Sequence, residues 1–140
     1  MSGILTIGVV LQDWFEKESL HETFKKLIEN PIIREVSIFR NAQKEPITSD
    51  QVKKFSLAIR GFRSDINIAV DHEGGLVQRL RGEGFSSLPK PGDLRQLYQS
   101  GQETYAQEIA QACGIVTAYE LGQVGINILY GPVFLSLIHI

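Results

Sequence analysis

Four runs of aliphatic and β-branched residues begin near positions 4, 36, 66 and 126, and their spacing sets what this chain can fold into. Residues 4–11 form a nearly continuous apolar run, which suits a strand covered on both faces, as in a parallel sheet. Helical patterns lie between the runs. Leu20, Phe24, Leu27 and Ile28 share one face before Pro31 stops the helix, and Val52, Phe55 and Ile59 repeat at helical spacing until Gly61. Ser19 with Glu22, and Thr48 with Gln51, have capping-box spacing. Residues 82–92 hold three Gly and two Pro and read as a loop. Residues 101–121 form the longest helical pattern, with Tyr105, Ile109, Ala112 and Val116 on one face. Strands alternating with helices imply a parallel sheet with right-handed crossovers. The order is β-α-β-α-β, a long loop, then α-β.

The third run carries the chemistry. Ile66, Ile68 and Val70 alternate with Asn67, Ala69 and Asp71, and Glu73 continues the second series. The branched face suits packing on helices. The face of small residues ending in carboxylates suits the inside of a barrel near its mouth. On strand geometry Asp71 and Glu73 point the same way. A divalent metal could take both, but hard cations need more oxygen ligands and no further acidic cluster lies nearby. A glycosidase pair must flank the scissile bond from opposite sides, which neighbours on one strand face do poorly. Polar recognition remains: a carboxylate accepts from sugar hydroxyls, Arg79 donates, and Gly74-Gly75 lets backbone approach a ligand. Against these stands a bland alternative, in which the pair caps loops and the glycines make a turn. His72 falls on the opposite face and reads as structural, Arg81 as a solvated charge, and Cys113 and Tyr105 as core.

Composition narrows the class. Hydrophobic content of 43% and charged content of 21% are globular values, and a net charge of −2 without a basic stripe argues against nucleic acid. Cys113 is the sole cysteine, so no internal disulfide forms and a reducing, cytoplasmic setting is expected. The apolar start is too short to span a bilayer, and no membrane partner, cofactor or metal site is expected.

The stretch Val70-Asp71-His72-Glu73-Gly74-Gly75-Leu76-Val77-Gln78-Arg79, with Gly84-Phe85-Ser86-Ser87-Leu88-Pro89 after it, closely resembles the N-terminal region of glycoside hydrolase family 3. The subgroup it looks like is the bacterial β-N-acetylhexosaminidases of peptidoglycan recycling. Asn30-Pro31-Ile32-Ile33, Ile38-Phe39-Arg40-Asn41 and Ala118-Tyr119-Glu120-Leu121 agree, so the resemblance covers residues 4–134. It implies an α/β fold: the N-terminal half of a (β/α)8 TIM barrel, about four β/α units, truncated. It implies hydrolysis of terminal β-linked N-acetylglucosamine from muropeptides by the full-length parent. Asp71 would bind ring hydroxyls and Arg79 would line the sugar pocket. The family's Asp nucleophile and His/Asp acid-base pair would lie beyond residue 140, so no catalytic residue is assigned here. Other readings are a β-glucosidase- or xylosidase-type member of the family, or a sugar-binding fragment without catalysis. Leu76 departs from the family, where an Arg is common.

The family expects an Asp after Pro132-Val133-Phe134. The chain instead has Leu135-Ser136-Leu137-Ile138-His139-Ile140, which CTG-TCT-CTT-ATA-CAC-ATC encodes. That string looks like a transposase adaptor. Residues 1–134 are therefore expected to be a partial barrel domain and residues 135–140 a non-native tail. With two strand edges uncovered, such a fragment is expected to self-associate and to show no glycosidase activity.

Overall fold

The computed structural model describes residues 5–131; the expected tail and the Pro132-Val133-Phe134 motif lie outside them. Four parallel strands, β1 (Leu5–Val10), β2 (Ile33–Phe39), β3 (Asn67–Asp71) and β4 (Ile128–Tyr130), pair in sequential order. Helices α1 (Leu11–Glu16) and α2 (Ser19–Glu29) link β1 to β2, and α3 (Ser49–Phe62) links β2 to β3. A loop, then α4 (Pro91–Gln99) and α5 (Glu103–Gln123), link β3 to β4. This is the α/β order expected of half a (β/α)8 barrel. The sheet is not closed among the described residues, and β1 and β4 are its edges.

The register separates two chemical faces. One face carries Val9, Val36, Ile38, Ile68 and Val70, all buried. It packs with Leu11 and Trp14 of α1, Phe24 and Ile28 of α2, and Val52, Phe55 and Ile59 of α3 in one core. Trp14 meets Phe24 and Phe55 edge-on at 5.5 and 5.1 Å and stacks on His21 at 4.1 Å. Such aromatic geometry adds to the burial term itself. The opposite face places Thr6, Glu35 and Asn67 in one row, and Gly8, Ser37, Ala69 and Ile128 in the next. Glu35 is buried there, accepting from Thr6 Oγ1 at 3.0 Å and from Tyr130 Oη at 2.7 Å. Small and polar residues on that side are what the interior of a barrel requires, as the β3 alternation indicated.

Local expectations fared unevenly. Thr48 and Gln51 do form a reciprocal capping box at the start of α3. Ser19 and Glu22 do not: Glu18, itself in helical conformation, precedes α2, so Ser19 is already inside the helix and has no orphan amide to accept. α3 runs through Gly61 and ends one residue later, where Arg63 donates to the Ile28 and Asn30 carbonyls at the end of α2. α1 and α4 were not anticipated. α4 opens on Pro91, with Asp93 in its first turn, and the run of loop-forming residues before it hid that start. The expected face of α5 is displaced. Ala106, Thr117 and Leu121 are buried, whereas Tyr105 is 54% exposed and Cys113 only partly covered. Apolar residues surround this helix, Ile115 and Tyr119 also being exposed, so periodicity alone could not choose the face.

Candidate sugar-binding site

Asp71 is the last residue of β3, at the C-terminal end of the sheet, where a barrel of this kind places its ligands. The chain then turns on itself. Gly74, at φ +88°, and Gly75, at φ +52°, start a short 3-10 turn over Gly75–Val77. Glu73 N–H donates to the Val77 carbonyl at 2.9 Å, and His72 pairs with Gln78 in an antiparallel bridge. This return lays Arg79 beside Asp71. The Arg79 backbone N–H reaches the Asp71 carbonyl at 3.4 Å, and Nη2 reaches Asp71 Oδ2 at 3.3 Å. The eight-residue spacing in sequence is thus a fold-back that makes neighbours of the two side chains. Each is about one-third exposed, so both heads keep contact with solvent. A half-exposed pair of this kind contributes little to stability, roughly 0–1 kcal/mol. Its value is positional: a carboxylate acceptor next to a guanidinium donor fork.

The rest of the loop is held from beneath. Gln78 is fully buried; its Nε2 donates to the Leu80 and Ser86 carbonyls at 3.0 and 2.7 Å, and its Oε1 accepts Leu88 N–H at 3.0 Å. Glu120 on α5 accepts from the backbone and hydroxyl of Ser86. The glycine pair serves this packing rather than a ligand. A Cβ on Gly74 would lie 2.3 Å from the Pro89 carbonyl oxygen, and one on Gly75 would meet Lys90. The backbone that approaches the glycines is the loop's own residues 88–90, a correction to the ligand-approach reading. Leu76 is 75% exposed and makes no polar contact at the site.

Glu73 also parts from its expected place. β3 ends at Asp71, two residues before Glu73, so strand alternation does not fix where Glu73 points. Glu73 lines a cavity of about 670 Å³, with Leu88, Pro89, Leu94, Cys113 and Leu129, which Asp71 does not line. His72 faces that cavity, buried and without a partner on either ring nitrogen. Burial pushes its pKa down to about 4, against the pull of Glu120, while Arg81 adds to the fall. Its structural reading stands. Arg81 is exposed as expected, though its Nε is fastened to the Gln78 carbonyl at 2.8 Å. Among the described residues no cluster of three His, Cys, Asp or Glu is arranged to hold a metal ion.

One contributor was missed from sequence. Phe39, the last residue of β2, places its ring 5.8 Å from the Arg79 guanidinium carbon. Its position at the end of an inward-alternating series was the available signal.

No protein-family model matches the chain. Curated sequences do. It is 36% identical over 107 residues to a protein named Beta-hexosaminidase from Shewanella frigidimarina, covering 76% of this chain and 30% of that protein. It is 33% identical over 131 residues to one of the same name from Hydrogenovibrio crunogenus, covering 92% of this chain and 35% of that protein. Among solved structures, NagZ from Neisseria gonorrhoeae, in complex with N-trifluoroacetyl-D-glucosamine, superposes with a TM-score of 0.75 at 31% identity. That match covers 93% of this chain and 36% of the neighbour. The chain therefore spans about a third of the length of the relatives it matches.

Proposed function

We propose that this chain, which is similar to bacterial β-hexosaminidases over the third of their length that it spans, forms one wall of an N-acetylglucosamine pocket. The parent activity in this reading is hydrolysis of terminal β-linked N-acetylglucosamine by a family 3 glycoside hydrolase. Its substrate would be a peptidoglycan-derived muropeptide, and its setting the cytoplasm. Asp71 accepts hydrogen bonds from ring hydroxyls, and Arg79 donates to the same sugar. The nucleophile and the acid/base group are not among residues 1–140, so this segment holds the sugar and does not cleave it. Residues 1–134 act as a partial barrel domain, and residues 135–140 as a non-native tail.

The observation that carries the reading is the Asp71–Arg79 pair, at 3.3 Å and partly open, at the C-terminal end of a central strand. A bare structural ion pair would serve equally well on any surface. This one stands at the C-terminal end of a sheet face that carries small and polar residues such as Gly8, Ser37 and Ala69. The test is selective binding by this chain. N-acetylglucosamine should bind weakly, glucose and xylose less well, and Asp71→Ala should weaken the binding of N-acetylglucosamine. Equal binding of all three sugars, unaffected by Asp71→Ala, would reject the reading.

A further inference from the structure

Arg79 is aimed by more than its partner carboxylate. Its guanidinium lies over the ring of Phe39, while Nη2 bonds Asp71 Oδ2. Phe39 is 38% exposed, which is high for a large apolar side chain, and stands apart from the buried core. Beneath its ring lies Gly8 of β1. A Cβ built on Gly8 would sit 2.9 Å from Phe39 Cε2 and 3.3 Å from Cδ2. Gly8 is not among the glycines with positive φ, so its backbone would accept any residue. What a side chain lacks there is room. Gly8, Phe39, Arg79 and Asp71 thus form one row of contacts across β1, β2 and the end of β3.

We propose that Phe39, seated on Gly8, is a positioning residue for sugar recognition: it is the platform that holds the plane of Arg79 toward the ligand. The proposal rests on the sugar-binding reading of Asp71 and Arg79 and deepens it. An arginine side chain has many rotamers, and one exposed ion pair does not select among them. A ring face does, because the guanidinium is planar, stacks on aromatic faces, and keeps its N–H edges free when stacked. Gly8 acts at one remove. It lets the ring come down against the strand, which sets the height of the platform.

The experiment follows the ¹⁹F resonance of N-trifluoroacetyl-D-glucosamine as the whole 140-residue chain is titrated in, a readout that tolerates weak binding and large species. Wild type, Phe39→Leu, Phe39→Tyr, Gly8→Ala and Asp71→Ala are compared, with circular dichroism confirming the fold of each. Phe39→Leu and Gly8→Ala should each weaken binding about tenfold, and Phe39→Tyr should stay within about twofold of wild type. A purely packing role would not distinguish Tyr from Leu by stacking, so equal losses in both would overturn the proposal. Wild-type affinity in Phe39→Leu, with binding lost in Asp71→Ala, would also overturn it while leaving the sugar site intact. If Phe39→Leu does not fold, Gly8→Ala decides, since it keeps the ring and only displaces it. No binding by wild type, or full binding by Asp71→Ala, would reject the sugar-site reading, and the platform with it.

Discussion

The side-chain carbonyl of Gln78 accepts the backbone N–H of Leu88 at 3.0 Å, inside the protein, and this contact fixes where the loop after β3 returns. Gln78 makes two further bonds from its amide, so three loop groups depend on one side chain. Arg79 follows it directly, and the fold-back that brings Arg79 to Asp71 starts from this anchor. Gln78→Ala would leave the Leu88 N–H and the Leu80 and Ser86 carbonyls without that partner. We expect a loss of about 2–4 kcal/mol in urea unfolding, and faster hydrogen exchange at Leu88 than in wild type. An unchanged unfolding midpoint would mean the loop is held elsewhere.

Gly74 is expected to tolerate no side chain. Its φ of +88° and the Pro89 carbonyl, 2.3 Å from a would-be Cβ, oppose Gly74→Ala for two separate reasons. The obstacle is backbone, which cannot swing aside as a long side chain can. Gly74→Ala should cost more than about 1 kcal/mol, whereas Gly61→Ala on α3, with nothing within 4 Å of its Cβ, should be neutral or stabilising. Thermal melts of the two variants side by side make the comparison.

His72 gives the fold a defined response to acid. Its folded pKa, about 4, lies below the ordinary 6.5, chiefly because burial disfavours the imidazolium. Between those values the unfolded chain takes up a proton that the folded one refuses. Its contribution is therefore fully present above pH 6.5 and is lost as pH falls toward 4, by about 2–3 kcal/mol. Carboxylates also titrate in the lower part of that range, so the informative quantity is a difference. The urea midpoint of wild type should fall relative to that of His72→Leu as pH drops from 7 to 4.5. Parallel curves would show that His72 is not neutral and buried.

Tyr130 is tied to Glu35, and its phenol should ionise above the usual value, because the hydroxyl donates to a carboxylate that gains nothing from a phenolate neighbour. Glu35→Gln should bring the phenol back toward its ordinary range in a spectrophotometric titration. The same titration in wild type and variant would contradict the contact.

How much of this was legible in the sequence depends on which signal carried it. The four strands were readable because each carries a run of aliphatic and β-branched residues, and β1 through β4 fall on those runs. The inward face of β3 was readable from simple alternation. Asp71 and Arg79 entered as candidates partly from strand position and partly from a long motif resemblance, and the structure places them in contact. Glu73 was misplaced because alternation was carried two residues past the strand end. Tyr105 was misplaced because α5 is apolar nearly all round. Gln78 escaped notice because a polar residue among apolar ones looks solvated until its partners, eight and ten residues away in sequence, come into view. Phe39 was visible as a strand end, but its role depends on Arg79 arriving from another strand's loop, which no local pattern encodes.

The central claim is that Asp71 binds sugar in an N-acetyl-β-glucosaminidase. It is tested most directly by chromophore release from a p-nitrophenyl N-acetyl-β-glucosaminide, using this segment joined to the downstream part of a β-hexosaminidase. With Asp71 in place the protein should turn over the substrate, and Asp71→Ala should lower kcat/KM about 100-fold, the loss of roughly 3 kcal/mol of charge-assisted hydrogen bonding. Residues 1–140 alone should release nothing. Undiminished turnover in Asp71→Ala would contradict the account.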